Sequence, residues 1–503
     1  MNETLTRPQP ADAAAAATEH FDVLIVGAGI SGVGGAYHLQ QQCPGTSFVI
    51  LENQASFGGT WRTHRYPGIR SDSDLYTFGY RFKPWTGAPI ATAEEILRYM
   101  SEVIEENGID RHIRYNHQIV SASWSSADRR WTVVAKRTDN EEVRTFTCGF
   151  LWMCQGYYRH EEGYTPEWKG MDRFEGRIVH PQTWPEDLDY TGKRVLVIGS
   201  GATAATIIPA MASKAAHVTM LQRSPTFFIT GRNANELADL LRQLKVPEEW
   251  THEIVRRKIL HDQAIFARRS REEPEVVRKE LLAGVRQYLG EDFDIGTHFS
   301  PRYRPWRQRV AFIPDGDLFQ GVRSGKASVV TDEIDTFTEK GILLKSGKEL
   351  EADIIVTATG FNLNVLGDVA FEVDGKPVDF AQTVGYLGTM FTGVPNMAWV
   401  FGYFRASWTL RADLIGDFVC RLLKHMEEKG ATMVTPALRP EERNMELRPW
   451  VDPEDFNPGY LVRGMHLLPK QGDHEPWRHT QDYWSEKDDL PKVDLDDGAL
   501  RFE

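Results

Sequence analysis

Apolar and polar positions repeat one order of signals twice: a short β-rich apolar run, a glycine loop, then a small-residue segment of helical length. In the first copy the run is Phe21 to Val26 and the helix Ile30 to Gln42. In the second, Arg194 to Ile198 leads into a helix that opens near Ala202. A further strand follows each helix, Ser47 to Leu51 and His217 to Leu221. Ala93 to Asn107 places Ile96, Leu97, Met100, Val103 and Ile104 at helical spacing, which predicts an amphipathic helix. Trp131 to Ala135 and Val143 to Phe146 alternate like antiparallel strands, and Phe150 to Tyr157 reads as a separate strand closed by a tight turn at Gly156. From Asn233 to about Leu289 the pattern turns helical and charged. Its basic runs, such as Arg256-Arg257-Lys258, read as solvated helix faces. Ala327 to Val330 and Gly341 to Leu344 are short strands, Ala352 to Asn362 includes a strand ending in A-T-G, and Leu410 to Glu428 is an amphipathic helix preceded by Trp408, read as core with an active-site wall as the second reading. These elements predict an α/β fold of two Rossmann-like dinucleotide-binding domains with a helical insertion in the second.

The glycine loops are the first candidate chemistry. They read Gly27-Ala28-Gly29-Ile30-Ser31-Gly32 and Gly199-Ser200-Gly201-Ala202-Thr203-Ala204. A pyrophosphate must come close to backbone N–H groups at a helix N-terminus, and side chains there would keep it away. Glu52, roughly 20 residues past the first loop, stands where an acid binds a ribose. The second unit has no acid at the matching strand end; it has Gln222-Arg223-Ser224. Arginine accepts a 2′-phosphate, so Arg223 predicts NADPH over NADH, against the plainer reading of a surface arginine. Two dinucleotide sites in one chain imply that hydride passes between two bound nucleotides.

Between the two units lies Phe174, Gly176, His180, Trp184 and Pro185 in the spacing F-x-G-x-x-x-H-x-x-x-W-P. This stretch resembles the fingerprint of type I Baeyer-Villiger monooxygenases, in particular their shorter subgroup. Gly58-Gly59-Thr60-Trp61, the R-Y-P-G segment from Arg65 to Asp72, and Pro301 to Phe319 are similar to further family segments. The resemblance covers roughly residues 20 to 430. It implies FAD, NADPH and dioxygen, and a ketone converted to an ester or lactone through a C4a-peroxyflavin, with sulfides as added substrates. It further implies that Gly59, Thr60, Trp61 and Asp72 lie beside the flavin, that Arg309 is delivered to the flavin face and paired with Asp72, and that His180 and Trp184 couple nucleotide binding to domain closure. Arg302, Arg304 and Arg307 crowd the same stretch and are the alternatives to Arg309. Thr359 and Gly360 belong to the strand by which such flavoproteins return to the FAD domain.

The domains implied are an FAD domain of residues 20–157 and 356–503, an NADP domain of 158–230 and 300–355, and a helical insertion of 231–299. Phe174 to Pro185 is expected to be a hinge. A flavin-containing monooxygenase acting on soft nitrogen or sulfur is the alternative reading, and a flavin-binding protein with dead chemistry is a third.

Composition narrows these readings. At 503 residues the chain exceeds what one core usually serves. The net charge of -13 gives no basic field for a phosphate backbone, so nucleic acid is not an expected partner. Cys43, Cys148, Cys154 and Cys420 show no disulfide-framework spacing and fit a reducing cytosol. Residues 1–19, alanine-rich with no apolar core of signal-peptide length, are expected to form a disordered tail. No transmembrane span, metal site or catalytic nucleophile motif is expected; the chain is expected to act as a monomer or homodimer.

Overall fold

The computed structural model describes residues 18–503. Of the tail expected over 1–19, residues 1–17 lie outside the described residues. Glu19 already belongs to a strand, paired with Phe146.

Glu19–Val26 runs parallel to Phe48–Leu51 on one side and to Val143–Met153 on the other, inside a nine-stranded sheet. Its inner residues Val23 to Val26 are buried, as are all four of Phe48–Leu51, because helices and the C-terminal region cover both faces. A parallel strand covered on both faces needs a continuous apolar run, and that is what the sequence supplies. Val143–Met153 is one strand, where the sequence pattern suggested two. Its first half pairs antiparallel with Arg130–Arg137, and from Phe146 onward it also pairs parallel with Glu19–Val26. The change from alternation to solid apolar character marks a change of environment within one strand. Ala93–Glu106 is the expected amphipathic helix, opened by a capping box in which Thr92 and Glu95 exchange hydrogen bonds.

The second sheet is five-stranded and wholly parallel, ordered Ala327–Thr331, His217–Gln222, Arg194–Ile198, Ile354–Thr357, Arg177–Val179. Two expectations change here. The stretch Phe174 to Pro185 is not a free hinge, since Arg177–Val179 within it forms the sheet edge. Ile354–Thr357, expected to begin the return to the first domain at residue 356, sits between two strands of the second. It is held there at its start, where Asp353 pairs with Arg194 and accepts from its backbone N–H. The return follows Thr357, through Phe361–Leu363, which pairs antiparallel with the outgoing Tyr158–Gly163. The two domains are therefore joined by a two-stranded ribbon.

The insertion consists of Glu236–Gln243, Glu248–Glu272 and Pro274–Leu289, above a parallel pair formed by Phe228–Gly231 and Ala311–Pro314. Arg257 and Lys258 are exposed as expected, but Arg256 is not. It is 4% exposed and donates to the carbonyls of Tyr76, Thr77 and Gly79, tying the insertion to the first domain. Trp408–Lys429 packs along Ile30–Gln42, and its Arg411 is held by Glu486 and the Phe401 carbonyl. Among the described residues no helix is long and apolar enough to cross a membrane.

Candidate functional site

The helix Ile30–Gln42 begins at Gly29 with extended backbone, no side-chain cap and no acid in its first turn. Its first N–H groups have no side chain competing for them. A Cβ on Gly32 would lie 1.8 Å from the Gly27 carbonyl oxygen, so the loop closes this tightly only with glycine there. Gly59 brings its backbone against Gly29, its N-terminal neighbour Gly58 donates to the Ala28 carbonyl at 3.0 Å, and Thr60 and Trp61 follow in a single helical turn, Thr60–Thr63. Glu52 is 4% exposed; its Oε2 accepts from the Ala28 N–H at 2.7 Å and its Oε1 from the Gln54 N–H at 2.9 Å. Burial raises the pKa of its carboxyl group, and the backbone donors work against that. Bare N–H groups, side-chain-free backbone and a buried acid next to the loop fit a dinucleotide's pyrophosphate and ribose.

The second cradle repeats this. Gly199 has φ +126°, and a Cβ there would meet the Ala358 carbonyl oxygen at 2.3 Å. Gly201 caps Ala202–Ala212 with extended backbone, no side-chain cap and open space where its Cβ would be; Ala202 and Thr203 start the helix. The Ser200 hydroxyl donates to the Ser224 carbonyl at 3.1 Å and bonds Thr226 at 2.9 Å, tying the loop to the neighbouring strand end. Arg223 and Ser224 are exposed at that end. This cradle fits a second dinucleotide, and Arg223 stands exposed at its edge.

Between the cradles the R-Y-P-G loop crosses onto the second domain. Gly68 packs against Thr206 and Ala210, and Arg70 grips Asp317 through two hydrogen bonds of 2.6 and 3.2 Å. Two residues on, Asp72 receives Arg309 in a fork: Nε to Oδ2 at 2.5 Å and Nη2 to Oδ1 at 2.7 Å, while Nη1 donates to the Phe404 carbonyl at 3.1 Å. A guanidinium has five N–H groups, and these bonds engage three of them, one on each nitrogen. Arg309 keeps 38% of its side chain accessible and Asp72 30%, so the pair is part-exposed and open to an approaching group. Burial opposes the charge on Arg309, and Asp72 more than offsets it, so the guanidinium stays protonated. The competing arginines turn elsewhere: Arg304 to Asp455, Arg307 to Glu454, and Arg302 to solvent.

His180 stands at the joint. Its Nε2 donates to the Gly360 carbonyl at 3.0 Å, its Nδ1 accepts from the Gln182 N–H at 3.2 Å, and its ring fills the space a side chain on Gly163 would need. Thr359 donates to the Tyr164 carbonyl at 2.6 Å, and the Gly360 carbonyl also accepts from the Tyr164 N–H. Thr359 and Gly360 thus bind the returning chain to the outgoing one. Sequence reasoning missed His64 and His160, which meet here at 3.4 Å. Burial, with His160 and His180 adding to it, pushes the pKa of His64 down to about 3, and burial lowers those of His160 and His180. It also missed the aromatic cluster of Tyr157, Tyr158, Phe361 and Tyr460, in which Tyr158 stands edge-on to Phe361 at 3.8 Å and Phe361 lies 4.1 Å from Tyr460. Only the Tyr-Tyr pair after the Gly156 turn offered a local signal. Trp408, expected in the core, is part-buried; it donates to the Ser31 hydroxyl at 2.8 Å and stacks on Tyr157.

Two glycine loops, each opening a helix with no side-chain cap, define a chain with two dinucleotide-binding domains. The family model described as flavin-binding monooxygenase-like matches residues 89–238, and that of an NAD(P)-binding Rossmann-like domain matches residues 25–87. The chain is 48% identical over 487 residues to the FAD-containing monooxygenase EthA of Mycobacterium tuberculosis, covering 96% of this chain and 98% of that protein. It shares its fold with an oxidized steroid monooxygenase bound to NADP, at a TM-score of 0.72 and 21% identity over 96% of this chain and 99% of that one. It also matches the OTEMO complex with FAD and NADP, at 0.74 and 21% over 97% and 100%. The chain belongs to the family of FAD-containing monooxygenases.

Proposed function

We propose that this protein is a Baeyer-Villiger monooxygenase that holds FAD in the first cradle and NADPH in the second, and converts ketones to esters or lactones, with sulfides as further substrates. The observation that carries the reading is the Arg309–Asp72 fork across the domain boundary. Bound FAD supplies hydride acceptance and the activation of dioxygen. The chain supplies position and charge. Glu52 and the bare N-terminus of Ile30–Gln42 hold one nucleotide; Gly201 and Arg223 hold the other. When oxygen is inserted beside a carbonyl, negative charge builds on the carbonyl oxygen, and a cation that cannot lose its proton stabilises it. Arg309 has N–H groups left over from Asp72 and Phe404 for this, and Asp72 fixes their direction.

The reading is tested by gas chromatography of products from linear and small cyclic ketones supplied with NADPH. Ester or lactone formation in step with NADPH consumption is expected. Clean nitrogen or sulfur oxygenation with no ester from any ketone would place the activity with the flavin-containing monooxygenases.

A further inference from the structure

Arg304 and Arg307 turn to one short stretch near the C-terminus, residues 452–458, and meet there an arginine from a third part of the chain. Asp455 is the meeting point. Its Oδ1 accepts from Arg304 Nη2 at 2.6 Å and its Oδ2 from Arg405 Nη1 at 2.6 Å, while its backbone carbonyl accepts from the same two guanidinium groups at 3.1 and 2.7 Å. Beside it, Glu454 accepts from Arg307 Nη2 at 2.9 Å, and the Asn457 N–H donates to the Arg307 carbonyl at 2.9 Å.

Arg405 is the buried member, with 5% of its side chain exposed. It follows Phe404, whose carbonyl holds Arg309 Nη1, and precedes the helix Trp408–Lys429. Its remaining donors go back to the arginine-bearing segment: Nε and Nη2 both reach the Trp306 carbonyl, at 3.3 and 3.2 Å. Trp306 has φ +64°, in the left-handed region, which a bulky residue keeps only where its surroundings hold it. A guanidinium is planar and presents its N–H groups in a fixed fork, so the Asp455 carboxylate sets the plane from which Arg405 reaches Trp306. The Phe456 ring stacks on Phe404 at 5.0 Å and faces the Arg405 guanidinium at 5.3 Å, so the two stretches are packed as well as bonded.

We propose that Asp455 and Arg405 form a clamp that positions Arg309. The clamp fixes the Trp306 turn, which precedes Arg309 in the chain, and the Phe404 carbonyl, which holds its Nη1, so the C-terminal region helps Asp72 to aim the guanidinium. Neither residue hydrogen-bonds to Arg309; both act through the backbone, as positioning residues. The proposal rests on the Baeyer-Villiger reading and adds to it what directs the cation. Without its carboxylate, the buried Arg405 charge loses its partner, and the fork is free to leave Trp306.

Asp455→Ala removes the carboxylate and lies outside both glycine loops. FAD retention, the NADPH KM and flavin reduction in the absence of oxygen are expected to stay near those of the wild type. A misplacement of about 1 Å can cost on the order of a hundredfold, so ester formed per NADPH consumed is expected to fall about tenfold or more, with hydrogen peroxide rising in its place. Asp455→Glu, which returns a carboxylate, should recover more of the ester than Asp455→Asn. Hydrogen exchange reads the clamp without turnover: the amides of residues 302–310 should exchange faster in Asp455→Ala, and those of the glycine loops should not. Should Asp455→Ala fail to hold FAD, Arg405→Lys keeps the charge but cannot bridge Asp455 and Trp306, and the same division between ester and flavin reduction is expected of it. Unchanged ester per NADPH in whichever variant retains FAD, or unchanged exchange over 302–310, would overturn the proposal. A wild type that forms no ester, with exchange still faster in the variant, would leave the clamp standing and sink the Baeyer-Villiger reading alone.

Discussion

Arg223 and Arg309 carry the same charge in opposite settings, and their tasks differ accordingly. Arg223 is exposed at a strand end beside the second glycine loop, where it is suited to a phosphate that arrives with the nucleotide. A charge-assisted hydrogen bond is worth about 1.5 to 3 kcal/mol, roughly ten- to hundredfold in affinity. Arg223→Ala is therefore expected to raise the NADPH KM by about that factor and to leave the NADH KM little changed, read from initial rates with each nucleotide. Equal losses with both would make the residue structural. Arg309 instead keeps a permanent partner in Asp72, so what it offers is direction as well as charge. The residue scale was the most legible in the sequence where a chemical requirement is local: Gly32 stands where the loop motif puts it because its Cβ would strike the Gly27 carbonyl oxygen five residues back, whereas Gly199 is kept small by the distant Ala358, a limit that only the motif signals. Tyr460 was not legible. It meets Phe361 only after about a hundred residues of intervening chain have folded, and nothing near it in sequence marks the encounter.

Elements were legible when caps and periodicity agreed. Ile30–Gln42 and Ala93–Glu106 end within a residue of their expected bounds, the first opened by its glycine loop and the second by Thr92 and Glu95. The expected domain boundary at residue 356 cut through Ile354–Thr357 for a plain reason: a short apolar run shows that a strand is buried and carries no sign of which neighbours bury it. The expected hinge, Phe174 to Pro185, is likewise a sheet edge, and the joint between the domains is the ribbon, where His180 bonds Gly360 at the start of one strand and presses on Gly163 at the end of the other. His180→Ala removes that clasp and touches neither glycine loop. The variant should keep FAD bound and slow its turnover or release more hydrogen peroxide per NADPH consumed, which a peroxide assay beside an oxygen electrode would report. Unchanged coupling and rate would reduce His180 to a packing residue.

At the scale of the whole molecule, two ion pairs join the domains: Arg70 with Asp317, and Asp72 with Arg309. Both are part-exposed, and pairs of that kind are worth on the order of 1 kcal/mol or less. They align the domains without welding them, which suits an enzyme that must admit one nucleotide and then a second substrate at the same place. The Asp72–Arg309 encounter spans 237 residues. Its expectation came from resemblance to a family, since no periodicity connects residues so far apart. The most direct measurement is ester formation by Arg309→Ala set beside flavin reduction by NADPH in the same variant. Arg309 belongs to neither cradle, so FAD retention and NADPH binding should survive and flavin reduction should persist, even if slowed, while ester from every ketone falls below detection. Ester formation continuing in Arg309→Ala at a rate near that of the wild type would contradict the account.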